Sequence, residues 1–238
     1  MKMSFHIDVM IQTLIVASRY IWVTLWMSGS ALVIGGILGL GIALIRYLNV
    51  PILAKCCQWT MPIFKGTPVV LLILGMYLIA SKTFDDFAQM MHWTIRFKDF
   101  PMMTIVIVAL SFMAMINSSE IFRGVFQAVK PGQLDAARSL GMTRNQLIIR
   151  ILLPQAFPAA IPMLSNLFIQ LIKASALASM VSVVDVFSAA KITAQQNYRF
   201  LEAYIAVAIV YWGLSVAIEQ VTGLYERLQA KKFRRMPL

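Results

Sequence analysis

Long apolar runs constrain this chain more than any motif it carries. Residues 20–45 read YIWVTLWMSGSALVIGGILGLGIALI, without one charged side chain before Arg46. About 20 apolar residues in a helix cross a hydrocarbon core of roughly 30 Å. Inside lipid the backbone must satisfy its own polar groups, which favours helices. Similar runs at 52–80, 102–122, 157–184 and 201–224 predict five spans. The second is interrupted by FKGTP at 64–68. Of 238 residues, 60% are hydrophobic and 13% charged, whereas soluble domains carry about 25% charged residues. These features predict an all-α integral membrane protein with one transmembrane domain over residues 1–238.

The ends of the runs set the expected orientation. Net charge is +11, but the basic residues cluster at span ends rather than in a separate basic domain, so nucleic acid is excluded as the partner and membrane orientation is implied. Arg46, Lys55, Lys65, Arg123, Lys130, Arg138, Arg144, Arg150, Arg227, Lys231, Lys232, Arg234 and Arg235 would all be cytoplasmic with the N-terminus outside and the C-terminus inside. The other side holds fewer: Lys2, Arg19, Lys82, Arg96, Lys98, Lys191 and Arg199, and its loop at 81–100 also carries Asp85, Asp86 and Asp99. Asp8 and the long run that follows do not suit a cleaved signal peptide. Residues 4–18 are therefore expected to be retained as a short amphipathic helix at the membrane surface. Cys56 and Cys57 are adjacent and read as reduced thiols in a cytoplasmic turn.

One cytoplasmic stretch is too well punctuated for a plain connection. In KPGQLDAARSLG, Pro131 suits a first helical position, Asp135 favours the positive N-terminal end and Gly141 suits a left-handed terminator. Leu134, Ala137 and Leu140 recur at helical spacing, leaving a small-residue surface around Ala136. Thr143 then caps a second helix with Gln146 three residues on, as in a capping box, and Arg150 and Pro154 mark the return to the membrane. Such a rod can dock in a partner's groove, or it can cover helix ends as a capped loop.

The spacing resembles the signature of the membrane-spanning subunits of bacterial ABC importers. That signature is Glu-Ala-Ala, three residues, Gly, nine residues, Ile, one residue, Leu-Pro. Here it reads Asp135-Ala136-Ala137, Gly141, Ile151, Leu153 and Pro154, with aspartate for glutamate as its one departure. FKGTP, SEIFRGVFQAVKPGQLDAARSLGM, LPQAFPAAIPMLSNLFIQLIKASAL and the closing YERLQ are similar to the polar amino acid permeases of the histidine, glutamine and cystine class. The resemblance implies a type I ABC importer permease with five spans. Residues 131–154 would form its coupling loop, and Pro131, Gly132, Leu134, Asp135, Ala136, Ala137, Arg138, Leu140 and Gly141 the coupling helix that meets an ATPase.

The same likeness implies a solute pathway around Asn117, Glu120, Asn166, Lys173 and Ser175. Lys65, Gly66, Thr67, Pro68, Arg123 and Pro154 would be structural or gate residues. Lys173 lies within a span, where an ionisable group is costly and functional by default, although pairing and packing would also account for it. The family's acid after that lysine is Ala174 here, which weakens a pathway built for lysine or arginine. Glu120 and Arg123, three apart, would pair at a helix end. Asn117, Ser118 and Ser119 either line a cavity or bond back to their own helix. Gly35, Gly36, Gly39 and Gly41 lie inside a continuous span, so they read as a helix-packing face and not as a nucleotide loop.

No phosphate-binding loop occurs in the sequence, so this chain is expected to bind no cofactor or metal and to be a transport subunit rather than an enzyme. The implied partners are two ATP-binding subunits carrying ATP and Mg, an extracytoplasmic solute-binding protein, a second permease copy or paralogue, and membrane lipid. The implied place is the bacterial cytoplasmic membrane, multi-pass. Cystine leads as solute, then glutamine or another polar amino acid. A gradient-driven transporter or channel without ATPase partners stands as the alternative.

Overall fold

The computed structural model describes residues 5–234, and these are helical with no strand among them. Lys2 and Arg235 lie outside the described residues, as do the side chains of Lys232 and Arg234. The chain order is α1 (Ile7–Ser18), α2 (Ile21–Tyr47), α3 (Leu53–Lys65), α4 (Val69–Met90), α5 (Met102–Ala128), α6 (Pro131–Ser139), α7 (Arg144–Leu147), α8 (Leu153–Ala174), α9 (Val186–Asn197) and α10 (Phe200–Arg234). Four stretches are each long and apolar enough to cross a membrane: Ile21–Tyr47, Met102–Ala128, Arg144–Val181 and Phe200–Lys231. A fifth arises if α3 and α4 are taken together, across a 100° bend.

Three of the expected spans therefore stand close to their expected limits, while the second departs from a single straight helix. Gly66, Thr67 and Pro68 form the break. Proline cannot donate to a helical ladder and disfavours helix in the residue before it, so α3 ends at Lys65 and α4 starts after Pro68. Cys56 and Cys57 lie within α3 rather than in a turn, and both are free thiols. Nor is there a clean re-entry at Arg150 and Pro154. A π turn at Ile148–Leu152 joins α7 to α8, so helix runs on from Arg144. The turn sits just before Pro154, which lacks the N–H that an unbroken α ladder would use there.

The central seam is α2 against α5. Gly35 and Gly39 let the two backbones meet: a β-carbon added at Gly39 would lie 2.6 Å from the Met115 carbonyl oxygen and 2.7 Å from the Ser118 β-carbon. Around this seam, Met27, Ala31, Ile73, Val106, Leu110, Leu167 and Leu171 make one buried cluster. At the other end of the seam, Phe122, Phe126, Leu134, Ala137, Leu147 and Leu152 make a second, which seats α6 against the ends of α5 and α8. Inside the spans such clusters are held by close van der Waals packing rather than by escape from water.

A third cluster revises the expectation for the N-terminus. Ala17 of α1 packs with Val186, Ala190 and Ala194 of α9 and with Ala203, Val207 and Val210 of α10. The His6 N–H donates to Glu202 Oε1 at 3.2 Å, fastening the start of α1 to the start of α10. The segment at 7–18 is thus packed on two helices, with Thr13 and Ala17 fully buried, and is not simply laid on a surface.

Candidate functional site

α6 stands apart from the spans because its termini are closed locally. Pro131 occupies the first turn, where its missing N–H costs nothing. At the far end Gly141 has φ +75°. The Gly141 N–H donates to the Arg138 carbonyl at 2.9 Å, and the Met142 N–H to the Ala137 carbonyl at 3.1 Å. This pair of bonds is the Schellman motif, which satisfies the last carbonyls and turns the chain sharply. The next helix starts with the expected capping box: the Thr143 N–H donates to Gln146 Oε1 at 2.9 Å, and the Gln146 N–H to Thr143 Oγ1 at 3.3 Å.

Leu134 and Ala137 anchor α6 inward, and its other side is free. Gly132, Asp135, Ala136 and Arg138 are exposed, with Asp135 and Arg138 paired at 3.0 Å. Leu140 does not follow Leu134 and Ala137 into the core. It caps the helix at φ −83°, ψ 8°, and is 81% exposed. Helical spacing fails there because the helix has already ended.

A second group gathers where α5 leads into α6. Glu120 accepts from Arg123 at 2.7 Å (Nη2) and 3.0 Å (Nε), with the i,i+3 spacing of one helical face. Its other oxygen accepts from Nη1 of Arg46, in the last turn of α2. Sequence spacing finds the first pair. It cannot find Arg46, which lies 74 residues away. Two adjoining cavities share Arg46 and Gln58: one of about 210 Å3 reaches Arg123 and Gln127, and one of about 270 Å3 reaches Lys65 and Glu120. The polar residues before Glu120 turn back on α5, since Asn117 donates to the Met113 carbonyl at 2.9 Å and Ser119 to the Ile116 carbonyl at 2.8 Å. The buried Ser118 hydroxyl has no acceptor among the described residues.

A third group lies along α8. Asn166 and Lys173, two turns apart, are both exposed, and Gln170 lies exposed between them on the same face. Lys173 lies within the span Arg144–Val181, in the last turn of α8 and just before a 3₁₀ stretch at Ser175–Val181. Ser175 points the other way, is fully buried and donates to the Ile172 carbonyl at 2.8 Å. The structure thus separates Ser175 from Asn166 and Lys173 and adds Gln170. Periodicity alone could have found Gln170, four residues after Asn166.

Residues 31–231 match the family of binding-protein-dependent transport system inner membrane components. The chain belongs to this family. It is a permease of the amino acid ABC importers, a transport subunit rather than an enzyme. YxeN of Bacillus subtilis, described as a probable amino-acid permease protein, is 34% identical over 212 residues, covering 89% of this chain and 90% of that one. TcyL of Bacillus subtilis, an L-cystine transport system permease protein, is 31% identical, covering 85% and 82%. The crystal structure of an amino acid ABC transporter with histidines superimposes with a TM-score of 0.77 at 28% identity, over 94% of this chain and 99% of that one. The permease fold with α6 projecting from it is thus the type I fold.

One buried acid of the permease was not foreseen. Asp185 caps α9: its Oδ1 accepts from the Ser188 N–H at 2.8 Å and its Oδ2 from the Tyr211 hydroxyl at 3.2 Å. Asp185 is fully buried, and that burial raises its pKa above the ordinary carboxylate value. No group of three or more metal-ligating side chains occurs among the described residues.

Proposed function

We propose that this permease imports a polar amino acid, with cystine the first candidate, by alternating access driven by ATP on partner subunits. The observation that carries the proposal is α6: a short rod, anchored by Leu134 and Ala137, locked by a Schellman terminator and exposed along Gly132, Ala136 and Leu140. A rod fixed at one face and bare on the other can pass a partner's motion to the spans. Two ATP-binding subunits would seat it and hold the ATP and Mg, and an extracytoplasmic binding protein would deliver the solute. A nucleotide shifts such an equilibrium by its differential affinity for the two states.

The exposed Asn166, Gln170 and Lys173 support a solute path completed by a second copy or a sister permease. Polar side chains on a spanning helix are costly against lipid, so this face of α8 would border water or the other subunit. Lys173 with Ala174 favours a solute offering a carboxylate, not a cationic side chain. The basic span ends support an N-out, C-in orientation in a bacterial cytoplasmic membrane. The whole of 1–238 would act as one transmembrane domain.

Mild-detergent purification of the permease from its native membrane, with mass spectrometry of its companions, tests this reading. An ATPase and a solute-binding protein are expected, followed by ATP-dependent, vanadate-sensitive uptake of the solute in liposomes. A chain that purifies alone and transports without ATP would transfer the case to a gradient-driven carrier.

A further inference from the structure

We propose that the basic cleft between α2, α3 and α5 is an oxyanion site for the phosphate of an inner-leaflet anionic phospholipid. Its position on the inner leaflet rests on the orientation proposed above. The two cavities that share Arg46 and Gln58 are lined by three cations, Arg46, Lys65 and Arg123, and by one carboxylate, Glu120. The amides of Asn49, Gln58 and Gln127 complete the first cavity. Glu120 is shared between two guanidiniums, so it neutralises only one of them. Arg46 is mostly buried, with its side chain 18% exposed, yet among the described residues its one acceptor is Glu120. A guanidinium has five N–H donors in a planar fork suited to phosphate or carboxylate. The cleft therefore holds unspent donors and uncompensated positive charge.

The neighbouring helix points to lipid as the source of the anion. α3 buries Met61 toward α5, where its sulfur lies 3.8 Å from the Ser119 hydroxyl. Opposite Met61, Trp59 and Ile63 are 77% and 70% exposed, and Ile52, just before the helix, is 75% exposed. At the angular period of an α-helix Trp59 and Ile63, four residues apart, fall within a sector of about 40°. Lys65 and Gln58 occupy the flank that turns to the cleft. An outward apolar face beside a basic pocket is the arrangement of an interfacial helix. Tryptophan concentrates at headgroup depth, and basic pockets between spanning helices on the cytoplasmic side take anionic headgroups. A free amino acid would use the cations but not the Trp59 face.

Native mass spectrometry of the assembled complex, with dioleoylphosphatidylglycerol or dioleoylphosphatidylethanolamine added, tests the proposal. Preferential retention of phosphatidylglycerol is expected. Lys65→Gln and Arg46→Gln should each lower that preference about fivefold. Gln58→Leu is a milder second variant should Arg46→Gln fail to assemble, and it should weaken retention in the same direction. Equal retention of both lipids, or an unchanged preference in assembled Lys65→Gln, would overturn the proposal. Displacement of the lipid by millimolar inorganic phosphate would assign the cleft to a soluble oxyanion and overturn the lipid source. Lipid retention needs neither ATP nor solute. A chain that holds lipid without importing would therefore sink only the importer reading, and an importer indifferent to lipid only this one.

Discussion

Gly35 of α2 faces Ala114 of α5 across a seam with no room for a side chain. A β-carbon at Gly35 would lie 2.5 Å from the Ala114 β-carbon and 2.5 Å from the Ser111 carbonyl oxygen. Gly39, one turn on, meets the α5 backbone in the same way. Small residues at this spacing let spanning helices gain van der Waals contact that lipid cannot supply. This seam aligns Arg46 with Glu120 and holds α5 upright above α6.

Overpacking the seam should therefore separate the helices. Gly35→Ala is expected to destabilise by about 1–3 kcal/mol, because backbone atoms must yield. Thermal unfolding in detergent checks this. Gly36→Ala is the control: nothing lies within 4 Å of its added carbon, and its melting temperature should hold or rise. Equal melting temperatures for both variants would show that the seam can relax.

Gly141 is the residue on which the coupling proposal can be tested most directly. At φ +75° an L-residue is strained by about 1–2 kcal/mol, more if β-branched. Gly141→Val should lower uptake in liposomes while leaving the binding protein's affinity for solute unchanged. Gly141→Asn should recover part of the loss, because asparagine tolerates the left-handed region. Full transport by an assembled Gly141→Val complex would remove the coupling role.

Much of this was legible in the sequence, and each part that was not has its own physical cause. The spans, the terminator at Gly141 and the capping box at Thr143 and Gln146 are local: each follows from neighbours a few residues apart. Arg46 could not be paired with Glu120 from sequence, because their contact depends on the α2–α5 seam. α9, reading VFSAAKITAQQN, is too short and too polar to register as a span, and its buried face is mostly alanine, which carries little hydropathy signal. Leu140 misled for a local reason, because the apolar period continues one residue past the helix. The break before α4 was visible as FKGTP, but nothing in that motif gives its 100° angle.

The Arg46–Glu120–Arg123 cluster should behave as one unit. The side chains of Arg46 and Glu120 are 18% and 28% exposed, so solvent screens them only in part. Glu120→Gln leaves two guanidiniums facing each other and is expected to cost about 2 kcal/mol, as for hydrogen bonds to charged groups. A cycle with Arg46→Gln should show a coupling of about 0.5–3 kcal/mol. Additive effects in thermal or denaturant unfolding would mean that the two helices are held by the glycine seam alone.

Asp185 gives the permease a pH dependence of predictable sign. It lies between the fourth and fifth spans, and burial holds its carboxyl above the ordinary value of 3.8, with Ser188 and Tyr211 opposing the shift. A carboxyl with a higher pKa folded than unfolded binds more proton in the folded state. Its contribution to stability is therefore greatest in acid, and it declines as pH rises from about 3.8 through the raised folded value. Asp185→Asn keeps an oxygen to cap the Ser188 N–H and offers an N–H to the Tyr211 oxygen, without a charge to bury. The variant should melt no lower than wild type at neutral pH and should show a flatter pH profile in acid. A variant that melts lower at neutral pH but not in acid would mean that the ionised carboxylate, not the neutral acid, is what α9 and Tyr211 require.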